Sequence, residues 1–127
     1  MKKTILALVA STTLMMASDT TITATMSLMS QGLNQVQIGL LYNDQNKVKN
    51  GIEILENANS IFKKVDVSKF IQHNNKIQVT KNINANLEKS LQQLKKDIAA
   101  KHFAAEAKSY ASVMTNCLAC HTVIRGW

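Results

Sequence analysis

FAAEAKSYASVMTNCLACHTVIRGW, residues 103–127, is the stretch on which the rest of the chain turns. Phe103, Ala107, Tyr110, Met114, Cys117, His121 and Ile124 recur at steps of four and three. That spacing is the period of one α-helical face, so the segment reads as an amphipathic helix with Cys117 and His121 on its inward stripe.

The same period extends back along the chain. Ile22, Met26, Met29, Leu33, Val36 and Leu40 mark a first helix, which ends at the polar run Tyr42-Asn43-Asp44-Gln45-Asn46. That polar turn offers an N-cap to the next helix. Val48, Ile52, Leu55, Asn59 and Phe62 mark a second, and Asn59 on its stripe needs a partner if buried. Residues 65–78 show no clear period, with Asp66 or Ser68 as candidate caps for a third helix. From about Val79 the pattern returns, with Ile83, Leu87, Leu91, Leu94 and Ile98 on one face. A break at Lys101-His102 separates it from the fourth segment. Proline is absent and there are four glycines among 127 residues. Such a chain is poorly suited to many short strands with tight turns. The expected fold is all-α, an antiparallel up-down-up-down four-helix bundle, because amphipathic helices with short links pack against one another in that order. Gly32 and Gly39, seven apart, either admit a neighbouring helix or subunit or merely weaken the first helix.

Residues 1–18 read as a secretory signal peptide. Lys2 and Lys3 precede a mostly apolar run from Thr4 to Met16, too short to span a bilayer, with cleavage expected near Ala17–Ser18. Residues 19–127 then form one domain, exported to the periplasm, with no membrane anchor. Charge is uneven. Residues 19–60 carry two lysines against four acids, and residues 61–127 carry eleven basic residues against four acids. This bias either steers an acidic partner protein or is a solvated lysine-rich face. One arginine and few aromatics in an exported chain argue against nucleic-acid binding.

Chemistry concentrates in Cys117-Leu118-Ala119-Cys120-His121. C-x-x-C-H is the attachment signature of a c-type haem. On a helix the two thiols and the imidazole share a face within about one turn. Two thioethers can then hold one edge of a porphyrin while His121 places a nitrogen under the iron. A disulfide across so short a loop would remove little unfolded-state entropy. A zinc site wants four ligands, and only His73 and His102 remain as further nitrogen donors. A thioredoxin-like pair would need a βαβ pattern that is missing.

Placed a few residues from the C-terminus of a four-helix chain, C-x-x-C-H-x-x-x-R resembles the signature of the class II cytochromes c, which include the cytochromes c′ and c556-type cytochromes. The resemblance spans the mature chain in architecture and is specific only in the last helix. It implies one covalent haem c on Cys117 and Cys120, His121 as proximal iron ligand, and Arg125 near the haem. Ile124 stands where the family often has an aromatic residue. Met26 falls where the family's first helix covers the distal face, making it the candidate distal iron ligand, with Met29 the next inward methionine. Met114 is expected to wall the haem pocket, and Trp127 to close over its edge or to fray. The resemblance implies an electron carrier working with redox partner proteins, not an enzyme. The alternative it carries is a five-coordinate binder of nitric oxide or carbon monoxide. It also allows a homodimer through the first two helices.

Overall fold

In a computed structural model the backbone is described for residues 2–69, 71 and 74–125, and side chains for those residues except 2–19 and 74. Among the described residues there is no strand. The described residues form four α-helices and one 3-10 turn: α1 (Lys2–Leu41), α2 (Gln45–Phe62), a turn at Val67–Lys69, α3 (Asn74–Ala99) and α4 (Phe103–Arg125). The arrangement is consistent with a four-helix bundle. The expected signal segment, His73 and Trp127 lie outside the described side chains.

Contacts along the helices show consecutive pairs running antiparallel. Gly32 of α1 lies against Gly51 and Leu55 of α2, while Gly39 lies against Val48. Lys63 and Lys95 pair with Glu88 and Glu56 across α2 and α3 at 2.9 and 3.0 Å. Ser109 of α4 donates to Asp97 of α3, and Asn116 donates to Ser90 at 3.1 Å. The molecule is two helical hairpins, α1–α2 and α3–α4. Each is packed along its length, with sparser contact across the seam between them.

The glycines of α1 serve this packing inside the chain. A Cβ on Gly51 would stand 2.7 Å from the Gly32 carbonyl oxygen, and one on Gly39 2.7 Å from the Val48 nitrogen. Only a missing side chain lets the two backbones approach so closely. Gly32 and Gly39 are buried against α2.

Both hairpins turn by the same device. Asn43 and Lys101 take left-handed φ values of 53° and 54°. The following amides reach back five residues, Asp44 to the Gly39 carbonyl at 2.8 Å and His102 to the Asp97 carbonyl at 3.2 Å. This is the Schellman closure, which satisfies otherwise orphaned carbonyls. Each turn is followed at once by an N-cap. Asp44 Oδ1 accepts from Lys47 N at 3.0 Å, and His102 Nδ1 from Ala105 N at 3.2 Å. The chain therefore turns sharply at Lys101-His102 without glycine or proline.

The α2–α3 link is built differently. Asp66 does not cap α3. Its carboxylate accepts from the Ser68 amide and hydroxyl at 3.1 and 2.6 Å and starts the 3-10 turn, and α3 begins later, at Asn74. These bonds hold the Asp66 carboxyl below its ordinary value.

The core is Val36, Val48, Ile52, Leu55, Leu87, Leu91, Leu94, Ile98 and Val113, with Tyr110 and Cys117 packed against it. The α1, α2 and α3 faces expected from sequence contribute most of it. On α4 the expected face is corrected. Glu106, Ser109 and Val113 are the buried residues, whereas Phe103 is 60% exposed and Ala107 is exposed. Short polar side chains set this rotation. Ser109 engages Asp97, Ser112 meets Ser90 at 2.9 Å, and Glu106 accepts weakly from Gln45 at 3.5 Å. The rest of the apolar stripe, Cys117, His121 and Ile124, is only half-buried or less because it faces an open cavity.

Candidate functional site

Between the two hairpins, at the end away from the two tight turns, lies a cavity of about 650 Å³. Pockets for small molecules and cofactors span roughly 300–1,000 Å³. The wall is mostly apolar. α1 contributes Ile22, Met26, Met29 and Leu33; α2 ends in it with Asn59 and Phe62; α3 gives Ile83, Asn84 and Leu87. α4 contributes Asn116, Cys117, Cys120, His121, Ile124 and Arg125.

The expected haem-linking and iron-binding residues Cys117, Cys120, His121 and Met26 are on this wall, with Arg125. Met29 and Ile124 are there as well. Met114 is not, one turn before the first cysteine, which corrects the expectation that it walls the pocket. Tyr110 also stands off the cavity. Its hydroxyl is pushed above its ordinary pKa by burial and then by the neighbouring Cys117.

Cys117 and Cys120 are free thiols, both half-buried. Burial pushes Cys117 up to about 11, with Cys120 adding to it, and burial also raises Cys120. Both are therefore neutral thiols near pH 7, unlike the low-pKa thiolates of disulfide exchange or nucleophilic catalysis. Among the described residues no three of His, Cys, Asp and Glu gather as a ligand set for a bare metal ion.

No model of a known protein family, no curated protein and no solved structure matches the chain.

Val67 and Ile71 also line the cavity, brought in by the 3-10 turn and the residues after it. Ile71 is 4% exposed. Their four-residue spacing was the available signal, but one helical step in a segment without further period is too short to read. Asn84 had no signal at all. Asn59 had one, its place on an apolar stripe, and it is indeed buried, with its Oδ1 unpaired. No helix among the described residues is long and apolar enough to cross a membrane.

Proposed function

We propose that this chain is an exported monohaem c-type cytochrome of the class II kind, working as an electron carrier between redox partner proteins. The observation that carries the reading is the convergence of Cys117, Cys120, His121 and Met26 on one apolar cavity of about 650 Å³. The cavity suits a flat, largely apolar cofactor. Its two thiols are accessible from the cavity side, and its wall holds unpaired amide oxygens that a bound group can satisfy.

In this reading Cys117 and Cys120 would hold haem c by thioethers, and His121 and Met26 would be the side chains that ligate its iron. When bound, the group supplies one-electron chemistry at its iron. The chain's own work is to exclude water with Ile22, Leu33, Phe62 and Leu87, lowering the local dielectric that tunes the potential. Arg125, exposed at the cavity rim, adds positive charge there. No group of the cavity is assigned to substrate turnover, so the protein is proposed as a carrier and not an enzyme. Export to the periplasm would remove residues 1–18. Among the described side chains, the cavity-lining residues of α1 run from Ile22 onward and would be retained.

A second reading has a specific basis. Met26 shares the α1 wall with Met29, and methionine often only fills space. If neither sulfur binds, the iron is five-coordinate and the apolar cavity takes nitric oxide or carbon monoxide. Visible spectra of matured protein, oxidised and reduced, with and without carbon monoxide, separate the two. The carrier reading requires a low-spin spectrum indifferent to carbon monoxide in wild type, and a high-spin, reactive one in Met26→Ala. A wild-type spectrum that is high-spin and shifts with carbon monoxide sinks the carrier. Absence of haem stain on a denaturing gel, from a host that matures other c-type cytochromes, sinks both.

A further inference from the structure

Two polar side chains on the cavity wall end in atoms that bond to nothing. Asn59 of α2 is 3% exposed, and its Oδ1 is buried without a partner. Asn84 of α3 likewise has a buried, unpartnered Oδ1. A third wall amide, Asn116, is already used: its nitrogen donates to Ser90 Oγ at 3.1 Å and to the Ser112 carbonyl at 2.9 Å. Buried polar atoms are nearly always paired, so two orphans on one mostly apolar wall mark a place where something polar belongs.

The chemistry of that something follows from the amide and its surroundings. A primary amide offers an acceptor on one side and two donors on the other. A half-turn about its last bond exchanges them without changing shape. Asn59 and Asn84 can therefore meet anionic oxygens. Asn59 also lines a second, polar cleft of about 400 Å³, which carries Lys63 and Lys64 alongside Glu56 and Glu88. Lys63 is paired with Glu88, while Lys64 makes no ion pair among the described residues. The two lysines and two glutamates of that cleft balance, and Lys64 is the cation there that no described carboxylate pairs. Both orphans lie on α2 and α3, whereas both thiols lie on α4. A haem bears its vinyl groups and its propionates on different edges, so a macrocycle held by its vinyl edge to α4 directs its carboxylates elsewhere.

We infer that Asn59 and Asn84 hold the carboxylate edge of the bound haem, donating from Nδ2 to the propionate oxygens and deciding which way round the macrocycle lies. The inference rests on the cytochrome reading above. The two asparagines are positioning residues and touch neither the iron nor its axial ligands.

The test uses full-length matured protein in the ferrous, diamagnetic state. In wild type, the side-chain amide protons of Asn59 give nuclear Overhauser contacts to the propionate methylene protons, and those of Asn84 do the same. In Asn59→Leu, with haem still covalently attached, the propionate vibrational band in resonance Raman moves from its wild-type position. It moves further in the double variant with Asn84→Leu. Amide protons that contact only water or protein in haem-bearing wild type overturn the inference and leave the cytochrome reading intact. So does an unmoved band in haem-bearing Asn59→Leu. If the leucine variants do not mature, the wild-type contacts alone decide. A wild-type chain without covalent haem overturns the inference together with the reading it rests on.

Discussion

The two ends of this molecule are built from the same helices and could hardly differ more in packing. At the turn end, Val36, Val48, Leu94, Ile98 and Val113 are at most 3% exposed, and both hairpins close in Schellman turns. At the other end the same helices stand around a cavity of about 650 Å³ whose wall holds two unpaired amide oxygens. The turn end obeys the rules of a stable core. The cavity end breaks two of them, close packing and polar satisfaction. Local violations of this kind cluster where a protein binds something, and the rest of the fold supplies the compensating stability.

Paired core truncations in haem-free protein test the contrast with the largest effect. Leu94→Ala, in the packed end, is expected to cost about 2–5 kcal/mol. Ile83→Ala, on the cavity wall, enlarges space that is already open and is expected to cost under about 1.5 kcal/mol, since its lost contacts are fewer. Urea unfolding measures both, and equal costs would mean that the cavity collapses in solution. Next in size is Asn59→Leu in the same haem-free chain. Replacing a buried, unpaired amide by an apolar side chain of similar shape should stabilise by about 1–3 kcal/mol. A loss of stability there would show that the oxygen has a partner.

At the turn end, Lys101→Gly removes a side chain from a left-handed position and should raise stability by up to about 1 kcal/mol. An unchanged melting temperature would show that the Lys101 turn carries no strain. The smallest effect concerns acid. The Ser109 hydroxyl bonding to Asp97 is the main reason its carboxyl lies below the ordinary value; Gln93 and His102 also lower it, and burial opposes them. A depressed folded-state pKa contributes stability above the unfolded value, near 3.8, and loses it as pH falls through the folded one. Ser109→Ala should therefore lower stability slightly at pH 5–7 and converge with wild type at the acid end. Parallel curves down to the acid limit would rule out the Asp97–Ser109 bond as their cause.

Helix number, the faces of α2 and α3, and the grouping of Cys117, Cys120 and His121 are all legible in the sequence. Each rests on periodicity or on spacing within one helix, which short-range geometry dictates. The turn at Lys101-His102 was visible as a break. How it closes was not, because lysine is an unusual choice for a left-handed position. The face of α4 was misread at its N-terminal half. Apolarity pointed to Phe103 and Ala107, but Glu106, Ser109 and Val113 are buried. Periodicity counts apolar side chains, while the docking of α4 follows short polar side chains on α3 and α4 that find one another only in the folded chain.

What the sequence determined alone is therefore local: four amphipathic helices, a break at each hairpin, and two thiols and an imidazole one turn apart. What only the tertiary structure decided is which of these faces meet. It brought Met26 of α1 to the same cavity as His121 of α4, folded Val67 and Ile71 in as a further wall, and left Asn59 and Asn84 unpaired on it. Those outcomes depend on how closely two hairpins can approach, and on the space left where they cannot. That depends on residues of both hairpins meeting at the seam, so it could not be read from any one stretch of the chain.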